Sequence, residues 1–143
     1  MSRNSKKTKP KHKAGSGAYN AVPRACLQSN SLAKLSPYAK ALLLDLMAQY
    51  NGFNNGDLSV AWKLMEKRHW KSKETLSNAK KELLNNGWII VTRQGGRNKC
   101  SLYALTLYNI DEDIKKKYDS CIKATNSPPG GWYRDNIVPI RYK

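Results

Sequence analysis

Acidic residues are scarce in this chain. Of its 143 residues, 10 are Asp or Glu and 26 are Lys or Arg, so the formal net charge is +16. Like charges in such excess repel one another in a compact fold. The composition therefore indicates a polyanionic partner.

Long apolar runs are also lacking. No run approaches the ~20 residues that a membrane span needs, because Asp45 interrupts the one that begins at Ala41. The basic N-terminus is not followed by an apolar stretch, which argues against a secretory signal. Cysteines are few, and Cys26, Cys100 and Cys121 lie far apart without Cys-x-x-Cys spacing. We expect no membrane partner, no disulfide framework and a cytoplasmic protein.

Motifs that carry catalysis or hold a cofactor are absent from the sequence. There is no glycine-rich phosphate loop, no nucleophile elbow and no Cys/His motif. His12 and His69 lack partners at metal-ligand spacing. Asp111, Glu112 and Asp113 could hold a nuclease metal in principle, but three consecutive acids do not face one way on a helix. We expect no enzyme, no catalytic residue, no metal and no cofactor.

Residues 1–17 are predicted to be a disordered basic arm. The segment has six cations, no acid and no large apolar residue beyond Met1, so it cannot bury enough surface to offset its ordering entropy. Such an arm can add phosphate contacts without a fixed geometry, and a mere solubility tail is the alternative. The cations are Arg3, Lys6, Lys7, Lys9, Lys11 and Lys13.

Residues 18–110 are predicted to form the domain, and residues 111–143 a short helix and a tail packed on it. In the last segment, acids at 111–113 precede bases at 115–117, which suits a helix dipole. Pro128 to Gly131 cannot continue a helix, and Trp132 is expected to anchor the tail to the domain.

Three helices are predicted in the domain. Ser36 and Pro37 begin the first, which is apolar almost all round up to Tyr50 and is therefore expected to be buried. Ser59 is expected to cap the second, which runs to about Arg68, after a single strand-like residue at Leu58. Its expected inward face comprises Ala61, Leu64, Met65 and Arg68.

The third helix follows a brief corner at residues 69–71. Ser72 is its expected cap, and Leu76, Ala79 and Leu83 recur as the inward face of an amphipathic helix. Gly87 then stops the helix in the position that a C-terminal glycine prefers. Residues 88–92 and 101–107 read as two strands, joined by a glycine-driven hairpin loop at residues 94–99.

This order of elements predicts an α+β, mainly helical fold of the winged helix-turn-helix class. It has a three-helix core and a two- to three-stranded wing. In such a domain the third helix projects its outer face into the DNA major groove, and the hairpin lies beside it.

The sequence also resembles small winged-helix proteins of phages and bacterial mobile elements over about residues 18–135. It is more loosely similar to the DNA-binding domains of phage and plasmid replication initiators. The resemblance implies the fold and DNA binding, although the family usually carries Gly where this chain has His69. The motifs that carry it are residues 49–59 (QYNGFNNGDLS), 70–76 (WKSKETL), 92–96 (TRQGG) and 100–106 (CSLYALT).

The third helix, at about residues 72–86, is the predicted recognition element. Five of its polar side chains fall in one arc of about 60° to 200° from Leu76, namely Lys73, Glu74, Ser77, Asn78 and Lys81. Asn pairs with adenine, Lys reaches guanine acceptors and Glu accepts from cytosine, although a merely solvated face would have the same residue types. The predicted contacts are Lys71, Ser72, Lys73, Glu74, Ser77, Asn78 and Lys81.

A basic wing at about residues 93–99 is the second predicted contact. Its cations surround two glycines whose backbone can approach a phosphate closely, with a plain soluble turn as the alternative. Trp62, Trp70 and Trp88 are expected to be core residues rather than stacking platforms. The predicted wing contacts are Arg93, Arg97, Asn98 and Lys99.

The sequence thus predicts a sequence-specific binder of double-stranded DNA, associated with the nucleoid of a bacterial or phage-infected cell. A transcriptional regulator and an origin-binding replication factor of a phage or mobile element use the same chemistry, so both stay open. A basic RNA- or ribosome-associated protein is the alternative. A protein-interaction module that uses the segment around residues 128–132 is a third class. A homodimer and a protein partner of the C-terminal tail also stay open.

Overall fold

The computed structural model describes residues 18–130. Within that range the chain forms an α+β fold of five helices followed by a two-stranded antiparallel sheet. The helices are α1 (Arg24–Leu27), α2 (Asn30–Ala33), α3 (Pro37–Gln49), α4 (Trp62–Glu66) and α5 (Lys73–Asn85), and the strands are β1 (Ile89–Arg93) and β2 (Leu102–Leu105).

Helix α3 begins as predicted but is not buried all round. The Ser36 hydroxyl accepts a hydrogen bond from the Ala39 N–H at 3.2 Å, and Pro37 is the first helical residue. Leu42 and Leu46 are fully buried, whereas Tyr38 and Leu44 are 61% and 65% exposed. The expectation of an entirely buried helix was wrong because the other helices cover only one side of α3.

Helix α4 is shorter than predicted, and Ser59 is not its cap. Gln49 binds both backbone groups of Ser59, donating to its carbonyl at 2.8 Å and accepting from its N–H at 2.9 Å. This contact holds Ser59 outside the helix, whose cap residue is Ala61 and whose first residue is Trp62. Of the predicted inward face, Met65 is buried, while Ala61, Leu64 and Arg68 are exposed.

Helix α5 matches the prediction at both ends. The Ser72 hydroxyl accepts from the Thr75 N–H at 3.2 Å. At the C-terminal end, Gly87 has a φ of 74°, and the Trp88 N–H donates to the Leu83 carbonyl at 2.9 Å. A left-handed glycine whose following residue donates its N–H to the carbonyl five residues earlier is a Schellman motif.

The hairpin contacts α5 through β1, and a single residue outside the two strands pairs with β2. β1 and β2 pair with Ile89 opposite Leu105 and Val91 opposite Tyr103, and the register shifts before Arg93. On the outer edge of β2, Leu58 exchanges two backbone hydrogen bonds with Tyr103, at 3.2 and 2.9 Å. The prediction of a lone strand-like residue at Leu58 is confirmed.

A buried asparagine joins the loop after α3 to the end of the sheet. Asn55 is fully buried, and its side-chain amide donates to the carbonyls of Leu105 at 2.9 Å, Tyr108 at 3.3 Å and Asn109 at 2.8 Å. Its side-chain oxygen accepts from the Leu105 N–H at 2.7 Å. Every polar atom of the amide is thus satisfied, which is the condition for burying it.

Residues 111–117 form turns, so the predicted short helix there was wrong. Asp111 exchanges hydrogen bonds with the backbone of Asn55, at 2.7 and 2.9 Å, and this contact ties the segment to the loop after α3 at the point where the helix was expected to begin. Asp113 then accepts from the N–H groups of Lys117 and Tyr118, and Lys116 takes a φ of 52°. Asp111 and Asp113 therefore accept from backbone N–H groups of loops and turns rather than stabilise a helix N-terminus.

The following residues lie against the sheet. The Asp119 N–H donates to the Thr92 carbonyl at 2.7 Å, and the Asp119 carboxylate accepts from the Gln94 N–H at 2.8 Å. Further along, the Gly130 N–H donates to the Thr106 carbonyl at 2.9 Å. The outer edge of β1 is therefore occupied near its end.

Candidate nucleic-acid interface

The corner between α4 and α5 is held by a carboxylate of α3. Asp45 accepts from Arg68 Nε at 2.9 Å and from Trp70 Nε1 at 2.7 Å. The Asp45 side chain is 13% exposed and Trp70 is buried, so this polar contact lies at the edge of the core. Because the corner cannot move without breaking both bonds, Asp45 fixes the point from which α5 starts.

The backbone of the corner uses a conformation that favours glycine. His69 has a φ of 68°, its N–H donates to the Glu66 carbonyl at 3.0 Å, and the Trp70 N–H donates to the Met65 carbonyl at 3.2 Å. These bonds form a second Schellman arrangement, with histidine in the glycine position. The histidine therefore adopts the sharp turn between the helices despite its side chain.

Helix α5 is fixed along its length. Leu76, Ala79 and Leu83 are buried, as predicted. Towards its end, Glu82 accepts from both the N–H and the hydroxyl of Ser36, at 2.8 and 2.5 Å, which ties α5 to the start of α3. The hydrogen bond from the Ser36 hydroxyl, with that from its N–H, lowers the pKa of Glu82.

The predicted contact residues lie on the outer side of this helix. The Ser72 hydroxyl is occupied by its capping bond, and Ser72 and Ser77 are half-buried. The remaining ones lie on α5 or, for Lys71, in the corner just before it, and they are exposed, so a ligand can contact them without any rearrangement of the core. These exposed residues are Lys71, Lys73, Glu74, Asn78 and Lys81.

Lys73 is held in place by an aromatic ring. Its Nζ lies 5.7 Å from the centroid of the Trp62 ring, within the range of a cation–π contact. Trp70 and Trp88 are buried, as expected of core residues. Trp62 is only half-buried, so it meets that expectation only partly. The Trp62 ring orients the first lysine of α5.

A lysine that the sequence interpretation missed connects α5 to the hairpin. Lys80 and Val60 both line two neighbouring clefts, of about 190 and 150 Å³. The first cleft also contains Lys73 and Ser77 of α5, and the second contains Ser101 at the base of the hairpin. One surface therefore runs from the N-terminal half of α5 to the hairpin.

The spacing of Lys80 could have identified it. It lies seven residues after Lys73 and three after Ser77, on the same stripe of the helix. At about 40° from Leu76 it falls inside the arc assigned to the core. A lysine can occupy such a position because its aliphatic stem covers apolar surface while its ammonium group reaches water.

The tip of the hairpin is a turn made by Arg97 and Asn98. Gly96 and Lys99 pair on either side of it, and Asn98 takes a φ of 60°. The glycines therefore do not supply the positive φ of the turn. Gly95 is instead needed for space, since a Cβ there would come within 2.5 Å of the Ser101 backbone nitrogen. Arg97, Asn98 and Lys99 are all exposed.

Arg93 is engaged within the hairpin itself. Its Nε and Nη2 both donate to the Cys100 carbonyl, at 3.0 and 2.8 Å. The guanidinium thus bridges the two strands where the loop begins. The exposed cations of the hairpin that can contact a ligand are Arg97 and Lys99. Arg93 instead stabilises the base of the loop through its bonds to Cys100.

The largest pKa shifts lie outside this surface. Burial raises the pKa of Cys26 to about 11, and burial, with Tyr50 and Cys26 nearby, raises that of Tyr108 to about 12. Both groups therefore stay protonated at neutral pH. Within residues 18–130 there is no cluster of three potential metal ligands, and no helix is long and apolar enough to span a membrane.

The basic arm at residues 1–17, with its six cations, lies outside the described residues, as does the expected anchor Trp132. Comparison of the chain with protein-family models, curated proteins and solved structures gave no match.

Proposed function

We propose that the protein is a winged helix-turn-helix domain that binds double-stranded DNA sequence-specifically. Helix α5 acts as the recognition helix and the β1–β2 hairpin as the wing. One observation supports this assignment above the others: the stripe Lys73, Ser77 and Lys80 continues through shared clefts to the hairpin. A duplex lying against α5 then reaches the base of the hairpin at Ser101, and we expect the exposed Arg97 and Lys99 near the tip to contact the same duplex.

The two parts of the surface have different chemistry and so different roles. Asn78 is exposed, uncharged and able to pair bidentately with adenine, so it reads a base. The lysines and the exposed hairpin cations hold phosphates, which contributes affinity on any sequence. Sequence preference then comes mainly from Asn78 and Glu74.

A paired titration tests this division of roles. Asn78→Ala changes no charge, and its loss on a selected duplex should be about 1–3 kcal/mol with non-specific binding unchanged. Lys81→Ala should instead weaken a selected and a scrambled duplex by a similar factor. Asn30→Ala and Lys34→Ala, at exposed positions in and after α2, are matched controls that should bind both duplexes as wild type does.

Equal affinity of the wild type for the selected and scrambled duplexes would show that binding is not sequence-specific. Preference for a folded RNA over every duplex would favour the RNA-binding alternative instead. If the wild type discriminates and Asn78→Ala discriminates equally well, Asn78 is not the reader.

We further propose that the protein serves a phage or mobile element as a transcriptional regulator or an origin-binding factor. This setting rests on the resemblance of residues 49–59 and 70–76 to proteins of such elements. Genome-wide mapping of the bound sites separates the roles, since a regulator should occupy promoters and an origin-binding factor a repeated array at one locus.

A further inference from the structure

A cavity of about 540 Å³ lies between α3 and the corner that precedes α5. Its volume falls within the ~300–1,000 Å³ that small-molecule sites usually have. Tyr38 and Leu44 of α3 form one wall, and Trp70 of the corner forms another. The ring centroids of Tyr38 and Trp70 are 6.4 Å apart, with their planes tilted by 46°.

The polar groups of this cavity favour an anion. Asp45 lines it, but both carboxylate oxygens already accept hydrogen bonds from Arg68 and Trp70. Lys71 also lines it, is exposed and takes part in no ion pair between described residues. Counting Arg68 and Lys71 against Asp45 leaves one positive charge without a partner.

We propose that this cavity binds a small aromatic carboxylate. The ring of the ligand packs against Tyr38, Leu44 and Trp70, and its carboxylate pairs with Lys71. A neutral aromatic molecule makes the apolar contacts without the ion pair. Inorganic phosphate makes the ion pair but leaves the apolar wall uncovered. The combination of both features in one cavity selects the ligand class.

Binding in the cavity also regulates the DNA surface, a step that rests on the proposed function. Lys71 and Ser72 line the cavity and belong to the predicted DNA contacts, and Thr75 lies in the first turn of α5. A bound carboxylate neutralises Lys71, which then attracts a DNA phosphate less strongly. The expected effect is a loss of about tenfold in duplex affinity, within the range of ordinary coupling between sites.

Calorimetric titration of the full-length protein with two matched probes tests the ligand class. Indole-3-acetate has the ring and the charge, whereas indole-3-acetamide has the same ring and shape without the charge. The acetate should bind at least about tenfold more tightly than the amide, and inorganic phosphate should not displace it. Absence of acetate binding, equal binding of both probes or displacement by phosphate at equal concentration would each overturn the proposal.

Two variants of α3 test the location. Ala41 is exposed and lines the cavity, whereas Ala48 is exposed on the same helix outside it. Ala41→Trp fills the cavity and should abolish binding of indole-3-acetate, while Ala48→Trp should bind it as wild type does. Neither residue is in the core or on the DNA surface, so both variants should fold and bind DNA normally without the probe. Wild-type probe binding by Ala41→Trp would refute the location.

Titration of a selected duplex with and without indole-3-acetate tests the regulation. The probe should weaken DNA binding of the wild type and of Ala48→Trp, but not of Ala41→Trp. Unchanged duplex affinity at saturating probe would disprove the regulation and leave the ligand site standing. If the probe binds and no duplex does, the proposed DNA function fails together with its regulation, whereas the ligand site is supported.

Discussion

Helices α4 and α5 end in the same way with different residues, which provides a matched pair of substitutions. The left-handed residue is His69 after α4, with a φ of 68°, and Gly87 after α5, with a φ of 74°. A residue with a Cβ pays roughly 1–2 kcal/mol for this conformation, although histidine tolerates it better than most. We therefore expect His69→Gly to raise the free energy of unfolding by about 1 kcal/mol, and Gly87→His to lower it by at least as much.

Urea and thermal unfolding measure this effect. A change of about 1 kcal/mol corresponds to a shift of about 4 °C in Tm for a domain of this size. The dependence of the unfolding free energy on urea should not change, because both variants bury the same surface. His69→Ala is the control, since alanine removes the imidazole but keeps the Cβ strain. Its stability should stay near wild type or fall slightly, because alanine tolerates a positive φ less well than histidine.

Equal stabilisation by His69→Gly and His69→Ala would refute the conformational explanation and assign the effect to the imidazole. The same pair also tests the corner as the support of α5. Since glycine adopts the observed backbone without a shift, His69→Gly should bind DNA as wild type does. A changed sequence preference would show that the imidazole itself acts in recognition.

Three further predictions concern the rest of the chain. Asn55→Ala should lower the free energy of unfolding by about 3 kcal/mol in urea titration, because the Leu105 N–H and carbonyl lose their buried partner, and a wild-type midpoint would contradict this. Glu82 has a lowered pKa in the fold, so its stabilising contact with Ser36 is present above its ordinary value of 4.5 and is lost as the pH falls through the lowered value. Glu82→Gln should therefore flatten the acid-induced loss of stability between pH 7 and pH 3. Deletion of residues 1–17 should leave the melting temperature nearly unchanged and reduce the salt dependence of DNA affinity, by up to roughly 0.9 per lost phosphate contact in a log–log plot; an unchanged slope would exclude the arm as a DNA contact.

The features that the sequence predicted correctly depend on neighbouring residues. Ser36 and Ser72 each cap a helix through an N–H three residues away, and Gly87 ends α5 within its own last turn. The inward stripe of α5 follows from helical periodicity alone. Such signals lie within a few residues of one another and can be read without the fold.

The features that the sequence did not predict depend on distant residues. The Gln49 side chain binds the backbone of Ser59, which lies on the other side of the loop after α3, and this contact keeps Ser59 from capping α4 as expected. Asn55 reaches residues 50 or more positions away, and its contact with Asp111 replaces the expected helix at residues 111–117 by turns. Nothing in the local pattern distinguishes these polar residues from ordinary loop residues. Lys80 was missed for a different reason. Its angle around the axis of α5, about 40° from Leu76, is compatible with both a core and a surface position.

The occupied edges of the small sheet limit how two copies of this protein can associate. Open strand edges allow chains to join by extending one sheet into the next. Here Leu58 takes the backbone groups of Tyr103 on the β2 side, and Asp119 takes those of Thr92 and Gln94 on the β1 side. A second copy cannot pair at these positions without displacing them. Joining two copies by extending the sheet is therefore disfavoured at these positions, and we expect a homodimer interface to lie on a helical or loop surface instead.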